Sequence, residues 1–164
     1  MPLEYASELR RVTEQIAAEL LLISPDVAAT RPAPDKWSIK EIVGHLIDSA
    51  SNNHQRFVRA QWSSDLICPG YEQDAWVLSQ DYLRAPWAGL VRLWREFNLH
   101  LAWLMEAIST EDRERKRHPH NLDLVAFRPV AADEPVTLDY FMSDYVEHLK
   151  HHLRQVQDLR GAGA

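Results

Sequence analysis

The chain has 164 residues, 46% of them hydrophobic, which suits one globular domain with a real core. Its 18 basic and 24 acidic residues leave a net charge of -6, and a nucleic-acid binder ordinarily shows a basic surplus or stripe instead. Only 5 glycines are present, which argues against a glycine-rich phosphate loop and a turn-rich β fold.

Four segments carry helical periodicity. In the first, Leu9, Val12, Ile16, Leu20 and Ile23 recur at spacings of three and four. Pro25 ends it, and Pro32 and Pro34 keep the following chain extended. The second opens on Ser38 and Glu41, an S-x-x-E pair that can form a capping box. Ile39, Ile42, Val43, Leu46, Ala50 and Phe57 then mark its apolar face as far as about Gln61. Residues 62–86 form a long connection with Pro69, Gly70 and Pro86, and a connection of that length in a compact domain is usually functional. Its Tyr71 and Trp76 are costly to expose, so it should fold back over one end of the bundle. Cys68, the one cysteine, excludes an internal disulfide and fits a reducing compartment. No His or Asp flanks it closely, so it reads as a loop residue rather than a nucleophile.

The third helix should begin near Pro86, and Leu90, Trp94, Phe97, Leu101, Leu104 and Ile108 give it a seam for shallow packing. Residues 109–136 are a second long connection, with a short charged helix at Glu111–Arg117 and a weak hairpin signal over Leu122–Val130. Thr137 caps the fourth helix, which runs to about Leu159. The pattern is all-α: an up-and-down-type four-helix bundle with two long connections, a single domain over residues 1–160 with a short flexible tail at 161–164. No apolar run approaches the roughly 20 residues of a membrane span, and Met-Pro-Leu-Glu-Tyr does not read as a signal peptide, so a cytoplasmic protein is expected.

Eight histidines are many for this length, and three fall within Glu147-His148-Leu149-Lys150-His151-His152. Residues four apart share a helix face, so His148 and His152 can chelate one metal ion, although a structural pair fits that spacing about as well. At about 100° per residue, His152 falls inside the stripe of Leu138, Met142, Tyr145, Leu149 and Val156. His148 sits at its edge and His151 outside it. His54, His100, His118 and His120 have no comparable spacing. The repeated Glu-x-x-His pairs of a di-iron bundle are absent.

Three blocks, in order, resemble the DinB-like superfamily and within it the YfiT-like branch of metal-dependent hydrolases and thiol transferases. They are Asp35 to Ser49 (DKWSIKEIVGHLIDS), Pro69 to Trp76 (PGYEQDAW) and His148 to Gln155 (HLKHHLRQ). The resemblance implies a DinB/YfiT-like four-helix bundle with a divalent metal, nickel or zinc by family precedent, on His45, His148 and His152. It also implies a hydrolase, or a transferase of a low-molecular-weight thiol, acting on a small electrophilic substrate. The resemblance further implies a homodimer, and the alternative function is a non-enzymatic, stress-associated metal binder. Periodicity alone does not recruit His45, which lies more than about 90° from the centre of its helix's apolar face unless that helix has a second buried face. Glu41, Asp48, Asp144 and His151 lie within reach in sequence to support the ligand imidazoles, with solvation or capping as the plainer role for the carboxylates. Tyr71 and Trp76 could line a substrate pocket or simply pack the loop. No nucleic-acid or membrane partner is expected.

Overall fold

The computed structural model describes residues 3–162, and the chain folds as an all-α bundle of four long helices. These are α1 (Glu4–Leu21), α3 (Ile39–Ala60), α5 (Trp87–Ala107) and α8 (Leu138–Ala162). Short helices fill the connections: α2 (Pro25–Ala29), α4 (Gln73–Ser79), a 3-10 turn at Tyr82–Arg84, α6 (Thr110–Glu114) and α7 (Leu122–Val125). Pro25 therefore opens a helix, as the first-turn residue of α2 with Ser24 as its cap. Among the described residues there is no strand, only the isolated bridges Leu66–His120 and Arg117–Val136. The Leu122–Val130 hairpin does not form; its first residues coil into α7 and bury Leu122. Gly161 and Ala162 extend α8 instead of starting a tail, and the rest of that segment, 163–164, lies outside the described residues.

The capping box forms as its spacing predicts. Glu41 N–H donates to Ser38 Oγ at 3.2 Å, and Ser38 N–H donates to the Glu41 carboxylate at 2.9 Å. Thr137 Oγ1 likewise accepts from Tyr140 N–H at 3.1 Å at the start of α8. The wiring departs from simple up-and-down order, in which consecutive helices are neighbours. Here α1 packs on α5 and α8, and α3 packs on α5 and α8. The consecutive pairs α1/α3 and α5/α8 thus stand across the diagonals, and the chain crosses the bundle twice.

The two longest connections are stapled to each other. Asn121 accepts from Cys68 N–H at 2.9 Å and donates back to the Cys68 carbonyl at 2.8 Å. The connection after α3 lies along that helix through α4 and the 3-10 turn. The Tyr82 ring lies on Gly44, where any Cβ would collide with it, and its hydroxyl donates to Asp48 at 2.6 Å. With cover on this side and the bundle on the other, every residue from Ser38 to Ala50 is buried. Helix α3 has the second buried face that His45 requires.

Candidate metal centre

His45 reaches the site from the fully covered half of α3 and is 1% exposed. Trp37, just before the helix, lies against it with ring centroids 5.0 Å apart. From α8, one turn apart, His148 and His152 face it. His148 Nε2 lies 3.4 Å from His45 Nε2 and 3.1 Å from His152 Nε2. Three ring nitrogens, one from each residue, fall within 4.8 Å of one another. Nitrogens bound at about 2.0–2.1 Å to a common ion stand roughly 3–3.4 Å apart, so the donor set fits a metal.

The protonation states fit as well. Burial, reinforced by the His152 charge, pushes His45 down to about 3. Burial, then His152 and His45, pushes His148 to about 3. His152 is lowered too, chiefly by burial. At neutral pH the rings therefore offer lone pairs, as metal ligation demands. Gln155 fixes one tautomer. Its Oε1 accepts from His152 Nδ1 at 2.8 Å, which turns the bare Nε2 inward, while its amide nitrogen donates to His151 at 3.2 Å. Ser49 Oγ stands 3.4 Å from His148 Nδ1, and His45 Nδ1 is buried without a partner.

The carboxylates near in sequence are engaged elsewhere. Glu41 pairs with Arg31 and closes the capping box. Asp48 accepts from Tyr82 and Gln80. Asp144 accepts from the backbone N–H groups of Phe127 and Arg128, both at 2.8 Å, and from the Arg128 side chain at 3.1 Å. None of the three hydrogen-bonds His45, His148 or His152. The Asp144 bonds instead fix Phe127, whose ring covers His148 and His151 with centroids 5.6 and 5.3 Å away. Each carboxylate found a closer donor than an imidazole three or four residues along its own helix.

The trio opens onto a cavity of about 730 Å³, also lined by Ser49, Arg56, Tyr71 and His151. Tyr71 lies in this wall. Trp76 packs against Tyr71 with centroids 5.0 Å apart and is outside the lining. Sequence reasoning missed Ser49, Asn53, Arg56 and Gln155. The signal was available for the first three: with His45 they recur at three- and four-residue steps, a polar stripe along α3. His54 and His100 also meet, at 5.4 Å between centroids, in a separate aromatic cluster with Trp103.

Fold and site together define a four-helix bundle of a known class: the chain belongs to the DinB superfamily, whose pattern it matches over residues 6–156. Among particular proteins it is similar to YfiT of Bacillus subtilis (strain 168), named "Putative metal-dependent hydrolase YfiT", with 26% identity over 153 residues, 91% of this chain and 80% of that protein. The solved structure of YfiT from Bacillus subtilis, described as "a probable metal-dependent hydrolase with an unusual four-helix bundle topology", matches with a TM-score of 0.78 at 21% identity. The match covers 98% of this chain and 86% of that one and establishes the shared fold.

Proposed function

We propose that this protein is a metal-dependent enzyme, a hydrolase or a low-molecular-weight-thiol S-transferase, acting on a small electrophilic substrate with one divalent ion held by His45, His148 and His152. The observation that carries this reading is the convergence of three neutral imidazoles on the wall of an open cavity. The name of the Bacillus subtilis relative supports the hydrolase form. Imidazole donors suit zinc, nickel, copper or iron, and the family resemblance favours nickel or zinc among them. When bound, such an ion supplies a Lewis acid and lowers the pKa of a coordinated water or thiol.

The chain's own residues do the rest. Trp37 and the covered flank of α3 keep water from the far side of His45. Gln155 sets the tautomer of His152, and Ser49 supports His148. Phe127, pinned by Asp144, and Tyr71 shape the space in which a substrate is oriented. The reading further takes the protein to work in the cytoplasm, as a homodimer, on a small molecule.

The test is the metal content of the purified chain beside a His148→Ala, His152→Ala double variant. About one ion per chain, lost in the variant, is expected. A native protein that takes up neither nickel nor zinc would overturn the assignment. Consumption of monochlorobimane with a bacterial thiol then selects the transferase, and ester or amide cleavage the hydrolase. Tight metal binding with no turnover of either kind would favour a non-enzymatic metal binder.

A further inference from the structure

Arg56 lies on the same polar stripe of α3 and lines the same cavity, yet it is only 7% exposed. A guanidinium carries five N–H donors. Here one amino group meets Asn53 Oδ1 at 3.4 Å and the other donates to the Pro69 carbonyl at 2.8 Å. Nε is buried with no partner. Among the described residues no carboxylate stands within ion-pair distance. Burial of a charge without a counter-ion is costly, and such groups are ordinarily paired.

The cavity does not supply the missing charge. Asp144 is occupied by Phe127 and Arg128, Glu72 is exposed, and the remaining lining residues offer no carboxylate. The other buried arginine, Arg117, also has an unpartnered Nε, but three backbone carbonyls, of Arg115, Ala60 and Asp112, receive its terminal N–H groups, and it lines no part of this cavity. A line of polar atoms joins Arg56 to the histidines in 3.4 Å steps, through Asn53 and Ser49 to His148 Nδ1. The seven residue steps from Ser49 to Arg56 span roughly 10 Å of helix.

We infer that Arg56 is a subsite for a carboxylate on the substrate, one molecular length from the histidine trio, so that the enzyme selects small molecules with an anionic end and a reacting end. A single guanidinium without a counter-ion, with only the Phe141 ring 5.8 Å below it, matches one negative charge, and Glu72 and Asp144 at the cavity wall disfavour a dianion such as phosphate. The inference rests on the trio being the reacting centre.

The test uses 6-mercaptohexanoate and its uncharged amide, titrated calorimetrically into the full chain, zinc-loaded and metal-free. The acid should bind about tenfold or more tightly than the amide, the range of a charge-assisted hydrogen bond. Arg56→Met should bring that ratio to within about twofold, and Arg56→Lys should fall between. The ratio should persist without zinc, where both affinities are lower. Equal binding of acid and amide by the native protein overturns the inference even if Arg56→Met fails to fold. An unchanged ratio in a folded Arg56→Met does the same, as does no binding of the acid up to about 20 mM. A protein that refuses zinc but keeps the ratio would overturn the metal reading and leave the carboxylate subsite standing.

Discussion

The two sides of the bundle are made of different material. On α1 and α5 the buried residues are mostly apolar, Leu9, Ile16 and Leu20 on one helix and Leu90, Trp94, Leu101 and Met105 on the other, with Thr13 and Asn98 the polar exceptions. Charge is kept to the edges, in the pairs Arg10–Glu106 and Arg95–Glu14. Where α3 meets α8, the buried or half-buried set includes His45, Ser49, Asn53, Arg56, Asp144, His148 and His152. Apolar burial contributes about 25 cal/mol per Å², whereas an unpaired buried polar atom costs of the order of 1–3 kcal/mol. One side therefore stabilises the fold chiefly through apolar area, with Thr13 Oγ1 and Trp94 Nε1 its unpartnered polar atoms, and the other gathers the polar and titratable groups around the cavity.

That contrast can be broken from either side. Trp94→Ala, in the centre of the apolar side, should cost about 3–5 kcal/mol in chemical denaturation. It should leave metal uptake per folded chain unchanged; a large loss of metal affinity in the folded variant would show that the two sides are not separable. Acid should act on the other side. His148 binds no proton in the fold until pH nears 3 but binds one at about 6.5 when unfolded. The unfolded chain thus holds more protons between those values, and stability falls as pH falls. For the metal-free protein the loss from His148 alone is on the order of 2 kcal/mol between pH 7 and pH 5, and urea midpoints at the two pH values measure it. The His148→Ala, His152→Ala variant should show a shallower slope.

Gly44→Ala sharpens the comparison at the cover of α3. The new methyl meets the Tyr82 ring and should cost about 1–3 kcal/mol. Because His45 is the next residue, metal affinity should fall with stability here, in contrast to Trp94→Ala. The smallest effect is expected at the edge of the apolar side. Arg95→Ala removes an exposed pair with Glu14 and should move the denaturation midpoint by at most about 1 kcal/mol, less at high salt.

The legible parts of the sequence were those in which one residue carries a local rule. Ser38 and Glu41 cap their helix, Thr137 caps another, and the four-residue spacing of His148 and His152 places both on one face. His45 was illegible from periodicity because Ser38 to Ala50 is buried all round, which erases the polar face against which an apolar one is read. Arg56 was overlooked because a charged residue late in an amphipathic helix normally faces water. The roles of Glu41 and Asp144 depend on Arg31 and on the backbone at 127–128, partners that no spacing on their own helices reveals. The diagonal wiring is tertiary in the same sense: helix lengths and loop lengths are compatible with several orders of neighbours.

That wiring also sets a timetable. His45 and His148 are 103 positions apart, and α8 is the last of the four long helices to be synthesised. At the ribosome, α1, α3 and α5 emerge first and already contain both members of the apolar side and the α3–α5 contact. The nascent chain can thus bring α1, α3 and α5 together before either histidine of α8 exists.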